Sequence, residues 1–162
     1  MSAVPSVIHS AKTDDWLTPP EVFEPLHAEF DFDIDLTASA GHERLPLYFT
    51  PEVDALTRSW SALPWTGWCN PPYSNDGAFV EKAYEESLLG FTTVLLVYAK
   101  TDVKWWHKYV LPFADEVRYI EGRVRFLLPD GTQGAPAPKG SAIIVFKPGP
   151  PRRLHTSVSF KR

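Results

Sequence analysis

A chain of 162 residues with 44% apolar side chains can bury one substantial core, so a single domain is expected. One cysteine, Cys69, excludes an internal disulfide, and five scattered histidines beside it leave no Cys/His spacing suited to structural zinc or another metal. The net charge of −4 hides an asymmetry: residues 1–99 carry 4 basic against 15 acidic side chains, and residues 100–162 carry 12 against 5. Such a split fits a basic face for an anion, and equally an ordinary solvated surface with a basic tail.

The start, MSAVPSVIHS, has no basic leader and no long apolar run. Residues 1–13 are small and polar and are expected to be disordered. Residues 14–147 form the expected domain, and residues 148–162 a basic irregular tail. The longest apolar stretch, VLLVYA at 94–99, is far too short to cross a membrane. A soluble cytoplasmic protein with no membrane partner is the expectation.

DDWLTPPEVFEPLHAEF (14–30) predicts a helix. Thr18 and Glu21 have capping-box spacing, with Pro19 at the first helical position. Val22, Phe23, Leu26 and Phe30 make its apolar stripe, and Pro25 predicts a kink or a late start. FDFDIDLTAS (30–39) alternates: Phe30, Phe32, Ile34 and Leu36 against Asp31, Asp33 and Asp35, which predicts a strand ending in a small-residue loop. Residues 50–60 predict a short helix or a turn around Asp54.

PWTGWCN (64–70) predicts a short strand stopped by Pro71 and Pro72. Residues 76–89 predict a helix with Phe79, Val80, Ala83, Tyr84, Ser87 and Leu88 on one side. TTVLLVYA (92–99) predicts a strand buried on both faces. Residues 101–113 predict a helix capped by Thr101 or Asp102, and Lys100, Lys104 and Lys108 would follow one face of it. Residues 116–128 predict two short strands meeting at Glu121–Gly122, residues 129–140 a Pro/Gly loop, and residues 141–147 a last strand. Strands separated by helices imply an α/β sheet, mostly parallel, with an antiparallel C-terminal strand. Asp35 and Asn70 both fall at carboxyl ends of strands, where such sheets bind ligands.

CNPPYS (69–74) holds a polar amide, two rigid prolines and an aromatic ring in sequence. An exocyclic amine on a planar ring is a poor nucleophile because its lone pair is delocalised. Two acceptors around its N–H bonds would draw the lone pair out. The Asn70 side-chain carbonyl and the Pro71 main-chain carbonyl are such a pair, held in a turn that is rigid before binding. Tyr73 can stack on the base, a contact worth roughly 1–3 kcal/mol. The base must leave its duplex to reach the turn. A plain proline turn between strand and helix is the bland reading of the same four residues.

DDWLTPPEVFEPLHAEFDFDIDLTAS, YFTPEVDALTRSW, WCNPPYS, VLLVYAKTDVKWWHKYV and EGRVRF, in that order, resemble the phage-type (Dam-like) DNA N6-adenine methyltransferases of bacteriophages and prophages, over about residues 14–147. The resemblance implies a Rossmann-like class I methyltransferase fold, S-adenosylmethionine (S-adenosyl-L-methionine) as donor, and DNA with a flipped adenine as partner. A phage-encoded enzyme would work in the host cytoplasm. Asn70, Pro71, Pro72 and Tyr73 would form the catalytic motif. Thr18 and Pro19 would hold the methionine end of the donor. Asp35, Ala38 and Ser39 would form its first binding loop, with Asp35 near its amino group, and Asp54 would approach the adenosine end. His42 stands where an amide is common. Lys104, Arg123 and Arg125 are the candidates for DNA contact. Trp60, Trp65, Trp68, Trp105 and Trp106 read as packing residues. Cytosine N4, a protein glutamine amide, and a catalytically silent DNA-binding or decoy protein remain as alternatives. The recognition sequence and the oligomeric state are not legible. With no separate recognition domain, loops 40–50, 74–78 and 129–140 would have to set specificity.

Overall fold

The computed structural model describes residues 16–39, 41–62 and 65–160. The expectation of disorder for residues 1–13 lies outside them. The first helix, α1, spans Pro20–Phe30. Pro20 occupies its first position, where a missing N–H costs nothing, and α1 continues through Pro25 instead of starting after it. Pro25 lies exposed, while Val22, Phe23 and Leu26 face inward. The capping box does not form. Pro19, extended at φ −68°, precedes the helix with no side-chain cap, and the Thr18 hydroxyl is engaged elsewhere. Asp31 ends α1 in the left-handed region at φ +52°, its N–H donating to the His27 carbonyl at 2.8 Å. That turn shortens the expected strand to β1, Ile34–Asp35.

The remaining strands are β2 (Leu47–Tyr48), β3 (Thr66–Cys69), β4 (Thr92–Tyr98), β5 (Glu116–Ile120), β6 (Ser141–Phe146) and β7 (Leu154–Val158). They form one sheet in the order β2-β1-β3-β4-β6-β5-β7. β6 alone runs against its neighbours, pairing Ile144 with Leu95 of β4 and with Val117 of β5. All other pairings are parallel. The chain is therefore α/β with a mostly parallel, Rossmann-like sheet, as expected.

β4 and β6 lie at the centre and are apolar on both faces, as a sheet covered on both sides requires. On one face Val94, Leu96 and Trp68 meet Phe23, Leu26, Phe32 and Phe126. On the other, Leu95, Val97 and Ile144 meet Phe79, Val80 and Ala83 of α2 (Asp76–Leu88), together with Trp106, Tyr109 and Val110. Leu88, expected in the inward stripe of α2, is 69% exposed at the helix end. The last helical stretch begins at Lys104. It takes π form over Trp106–Val110 before the short α3, Leu111–Phe113. Lys100 therefore precedes this stretch and shares no helical face with Lys104 and Lys108.

Two expectations near the C-terminal end are corrected. Residues 123–128 form no second arm of a hairpin. Val124 and Phe126 are buried, but their carbonyls accept from Ala137 and Gly134, and Leu127 pairs with Leu17 through two 2.9 Å bonds. The tail expected to be irregular carries β7, parallel to β5. Charge pins it there. The buried Asp115 carboxylate accepts the Arg152 backbone N–H at 3.0 Å and its guanidinium at 2.7 Å, and Lys147 approaches to 3.1 Å. Burial works to raise the pKa of Asp115, but the hydrogen bonds from Arg152 and Lys147 outweigh it and hold the group at about 2. Asp115→Ala is expected to cost about 2 kcal/mol, since both cations are partly solvated. The contribution is complete above the ordinary value of 3.8 and disappears as pH falls through about 2. Thermal melts of both proteins between pH 2 and 7 check this, and a variant that matches the parent at pH 7 would refute it.

Candidate active site

The chain winds outward from β1 to β2, then returns to the other side of β1 as β3. At this reversal the connections diverge and leave a crevice at the carboxyl ends of β1 and β3. Three segments leave the sheet there: Leu36–Ser39 after β1, Phe49–Leu56 after β2, and Asn70–Asn75 after β3. Leu36, Thr37, Ala38, Ser39, Asp54 and Asn70 line a single cavity of about 410 Å³, with Trp16 and Phe79 among its other walls. That volume is within the ~300–1,000 Å³ range of small-molecule sites. The loops are sewn together at their bases. The Ala38 N–H donates to the Phe49 carbonyl at 2.9 Å, and the Asn70 N–H donates to the Thr37 hydroxyl at 2.9 Å.

The orientation of the Asn70 amide follows from its partners. Its Nδ2 donates to the Trp16 carbonyl at 3.3 Å and to the Thr18 hydroxyl at 3.1 Å. A backbone carbonyl only accepts, so the NH₂ end must face Trp16. Oδ1 is thereby turned away from that pair as the acceptor end. Pro71 is buried, and Pro72 reaches the cavity wall. The Pro72 carbonyl accepts the Asn75 N–H at 3.0 Å, closing the turn that leads through Tyr73–Asn75 into α2. The turn is braced below: Asp76, buried, pairs with Lys100 at 2.6 Å. Gly77 leaves room for the Trp105 indole, which a Cβ there would meet at 2.5 Å. The Tyr73 ring stacks on Tyr98 at 4.0 Å between centroids, and Phe126 meets it edge-on at 5.9 Å. One face of Tyr73 is thus already taken by protein.

A smaller hollow shares Trp16, Thr37, Ala38, Ser39 and Asn70 with the main cavity and adds Thr18, Asp35, His42 and Arg44. Asp35 is 5% exposed. Burial pushes its pKa up from 3.8 to about 6, against the Thr37 N–H at 3.1 Å and the charge of Arg44. The Arg44 guanidinium donates to the Thr18 carbonyl and lies 4.9 Å from the centre of the Phe23 ring. Asp54, at φ +54°, begins a 3₁₀ turn, Ala55–Thr57, and its carboxylate accepts the Leu56 N–H at 3.3 Å on the cavity rim.

Asn70, Pro72, Ala38, Ser39 and Asp54 therefore meet at one cavity, with Thr18 and Asp35 in the adjoining hollow. Pro19 lies apart from both, beside Arg123 and Arg125 in a shallow depression closed by Phe160. Arg123 is exposed and Arg125 half-buried, on an extended segment that belongs to no strand. Lys104 is exposed at the start of the last helical stretch. Trp60, Trp68 and Trp106 are core residues. Sequence reading missed Trp16 and Thr37, whose carbonyl and hydroxyl hold the Asn70 amide and backbone. Thr37 stood in the small-residue loop, but nothing in its spacing marks it as the partner of Asn70. Among the described residues no three His, Cys, Asp or Glu side chains group as a metal site, and no helix is long and apolar enough to span a membrane.

The family model described as DNA N-6-adenine-methyltransferase (Dam) matches residues 5–162. A DNA N-6-adenine-methyltransferase of Haemophilus phage HP1 is 30% identical over 142 residues, covering 85% of this chain and 81% of the phage protein. A protein of the same description from Escherichia phage T1 is 31% identical over 97 residues, which is 59% of this chain and 40% of that one.

Proposed function

The chain belongs to the DNA N-6-adenine-methyltransferase (Dam) family, and from that premise we propose that it methylates adenine N6 in DNA with S-adenosylmethionine, through Asn70-Pro71-Pro72-Tyr73. The observation that carries this reading is the commitment of Asn70 Nδ2 to two acceptors, the Trp16 carbonyl and the Thr18 hydroxyl, which leaves Oδ1 as the end offered to a substrate amine. With the Pro71 carbonyl it accepts the amine's hydrogens and draws the lone pair out of conjugation with the ring. This is electrostatic preorganisation, since nothing in the turn needs to move during reaction. Tyr73, held against Tyr98 and Phe126, is the aromatic residue of the motif and the one proposed to meet a flipped base.

The residues present suit the donor. S-adenosylmethionine carries an ammonium, a ribose diol, an adenine ring and, on its sulfonium, the methyl group that it supplies. The Asp35 carboxylate suits the ammonium, and the exposed Asp54 suits the diol. Leu36, Ala38 and Phe79 give the apolar walls that an adenine requires. Duplex DNA is the macromolecular substrate. Its contacts fall to Lys104, Arg123 and Arg125 and to loops 40–50, 74–78 and 129–140. Part of the basic half is spent inside the protein, because Lys100, Arg118 and Arg152 pair with carboxylates.

Incubating the protein with unmethylated DNA and methyl-labelled S-adenosylmethionine, followed by nucleoside mass spectrometry, tests the reading. N6-methyldeoxyadenosine is the expected product. N4-methyldeoxycytidine would keep the mechanism and change the base. Absence of any methylated nucleoside, while calorimetry shows the donor bound, would overturn the proposal.

A further inference from the structure

We propose that Thr18 is a positioning residue that fixes the Asn70 amide, and that it is no donor ligand. This rests on the methyl-transfer reading above. Thr18 precedes a helix that it does not cap, although its residue type and place suit a cap. Its side chain is 3% exposed, and its hydroxyl accepts from Asn70 Nδ2 at 3.1 Å. A threonine diverted from the helix end to a single amide is doing something for that amide.

The segment that carries Thr18 is held at three further points. Its own carbonyl accepts from the Arg44 guanidinium. Its neighbour Leu17 is bonded in both directions to Leu127 at 2.9 Å. Trp16, whose carbonyl is the second acceptor for Asn70, packs its ring against Gly134, where a Cβ would fall 2.8 Å from the indole. Residues 16–18 are therefore a strap across the site, fastened at Arg44, Leu127 and Gly134. It presents two acceptors to Nδ2, and two acceptors are what an NH₂ group needs to be locked against rotation by 180°. A rotated amide would turn its NH₂ toward the substrate amine and oppose the reaction. Thr18 is absent from the main cavity wall and lines the adjoining hollow with Asp35, and its hydroxyl is given to Asn70, so its proposed contribution to the substrate amine passes through Asn70.

Three variants separate this role from donor binding and from simple stability. In Thr18→Val, which keeps shape and loses the acceptor, kcat is expected to fall about tenfold, the value of one hydrogen bond in a reacting geometry. The dissociation constant for S-adenosylmethionine and KM for DNA should stay within about twofold. Thr18→Ser restores the acceptor and should recover kcat to within about twofold, whereas Thr18→Ala should not. Thermal melts of the same proteins identify any variant that fails to fold, and Thr18→Ser then carries the comparison against the parent. Unchanged kcat in Thr18→Val overturns the proposal. Weakened donor binding with kcat intact at saturation also overturns it and makes Thr18 a donor ligand. A parent chain that transfers no methyl group sinks the underlying reading, and the role of Thr18 with it.

Discussion

Asn70→Ala is expected to lower methyl transfer by about 10²–10³-fold, the range seen when one preorganised polar group is removed from a developing charge. The loss should fall on kcat. The proposed donor-holding residues lie on other segments, Asp35 at the end of β1 and Asp54 before the Ala55–Thr57 turn, so S-adenosylmethionine should still bind within about tenfold of the parent. Asn70→Asp separates geometry from charge. A carboxylate accepts without needing to be oriented, but it loses the two donors that meet Trp16 and Thr18 and places an anion opposite a carbonyl. It should retain more activity than alanine at neutral pH and less than the parent. Single-turnover rates with labelled donor check both variants. Full activity in Asn70→Ala would remove this residue from the chemistry.

The second large effect is on donor binding, and it depends on pH. Asp35 titrates at about 6 because burial disfavours its charge. Above that value the carboxylate is present to meet an ammonium. Below it, affinity should fall by about tenfold per pH unit, as one proton is taken up in place of the ligand contact. Asp35→Asn should bind the donor about 10–100-fold more weakly at pH 8, with no such pH dependence. Stability should move the other way. The folded protein holds this proton more tightly than the unfolded chain does, so stability falls as pH rises from about 3.8 to about 6. The full shift corresponds to about 3 kcal/mol. Arg44 loses its facing charge in the variant, so a gain of about 1–2 kcal/mol at pH 7.5 is the net expectation. A variant that binds the donor like the parent, or melts lower at pH 7.5, would show Asp35 to be a structural partner of Arg44.

How much of this was legible in the sequence depended on whether the signal was local. β3, α2 and β4 follow from alternation, helical periodicity and an apolar run, and they appear close to the residues expected. The crevice followed from the rule for open α/β sheets applied to Asp35 and Asn70. Non-local partners were not legible. Thr18 looked like a cap because Ser and Thr before a helix usually are, and only the fold shows Asn70 drawing its hydroxyl away. β7 was missed because LHTSV is short and polar and follows a Pro/Gly run. What holds it is the buried Asp115, whose partners Lys147 and Arg152 flank that run. The charge split was real in sequence and ambiguous in meaning, since several of the basic side chains close ion pairs at the sheet edge and beside α2.

The strap of residues 16–18 has a consequence for how the protein comes to be active. Its fastening joins Leu17 to Leu127, so nearly the whole intervening chain must be in place before the two can meet. The strap is held by two backbone bonds to Leu127, the Arg44 guanidinium, the Asn70 amide and one indole contact, whereas the central strands are buried on both faces. Local opening is therefore expected to cost less at the strap than at β4 and β6. A population of molecules with an intact sheet and a slack strap would fold, melt and scatter like the native protein and still hold its amide loosely. If the strap sets the amide, catalytic competence is expected to be separable from formation of the sheet, and an activity titration followed beside a thermal melt would read the difference.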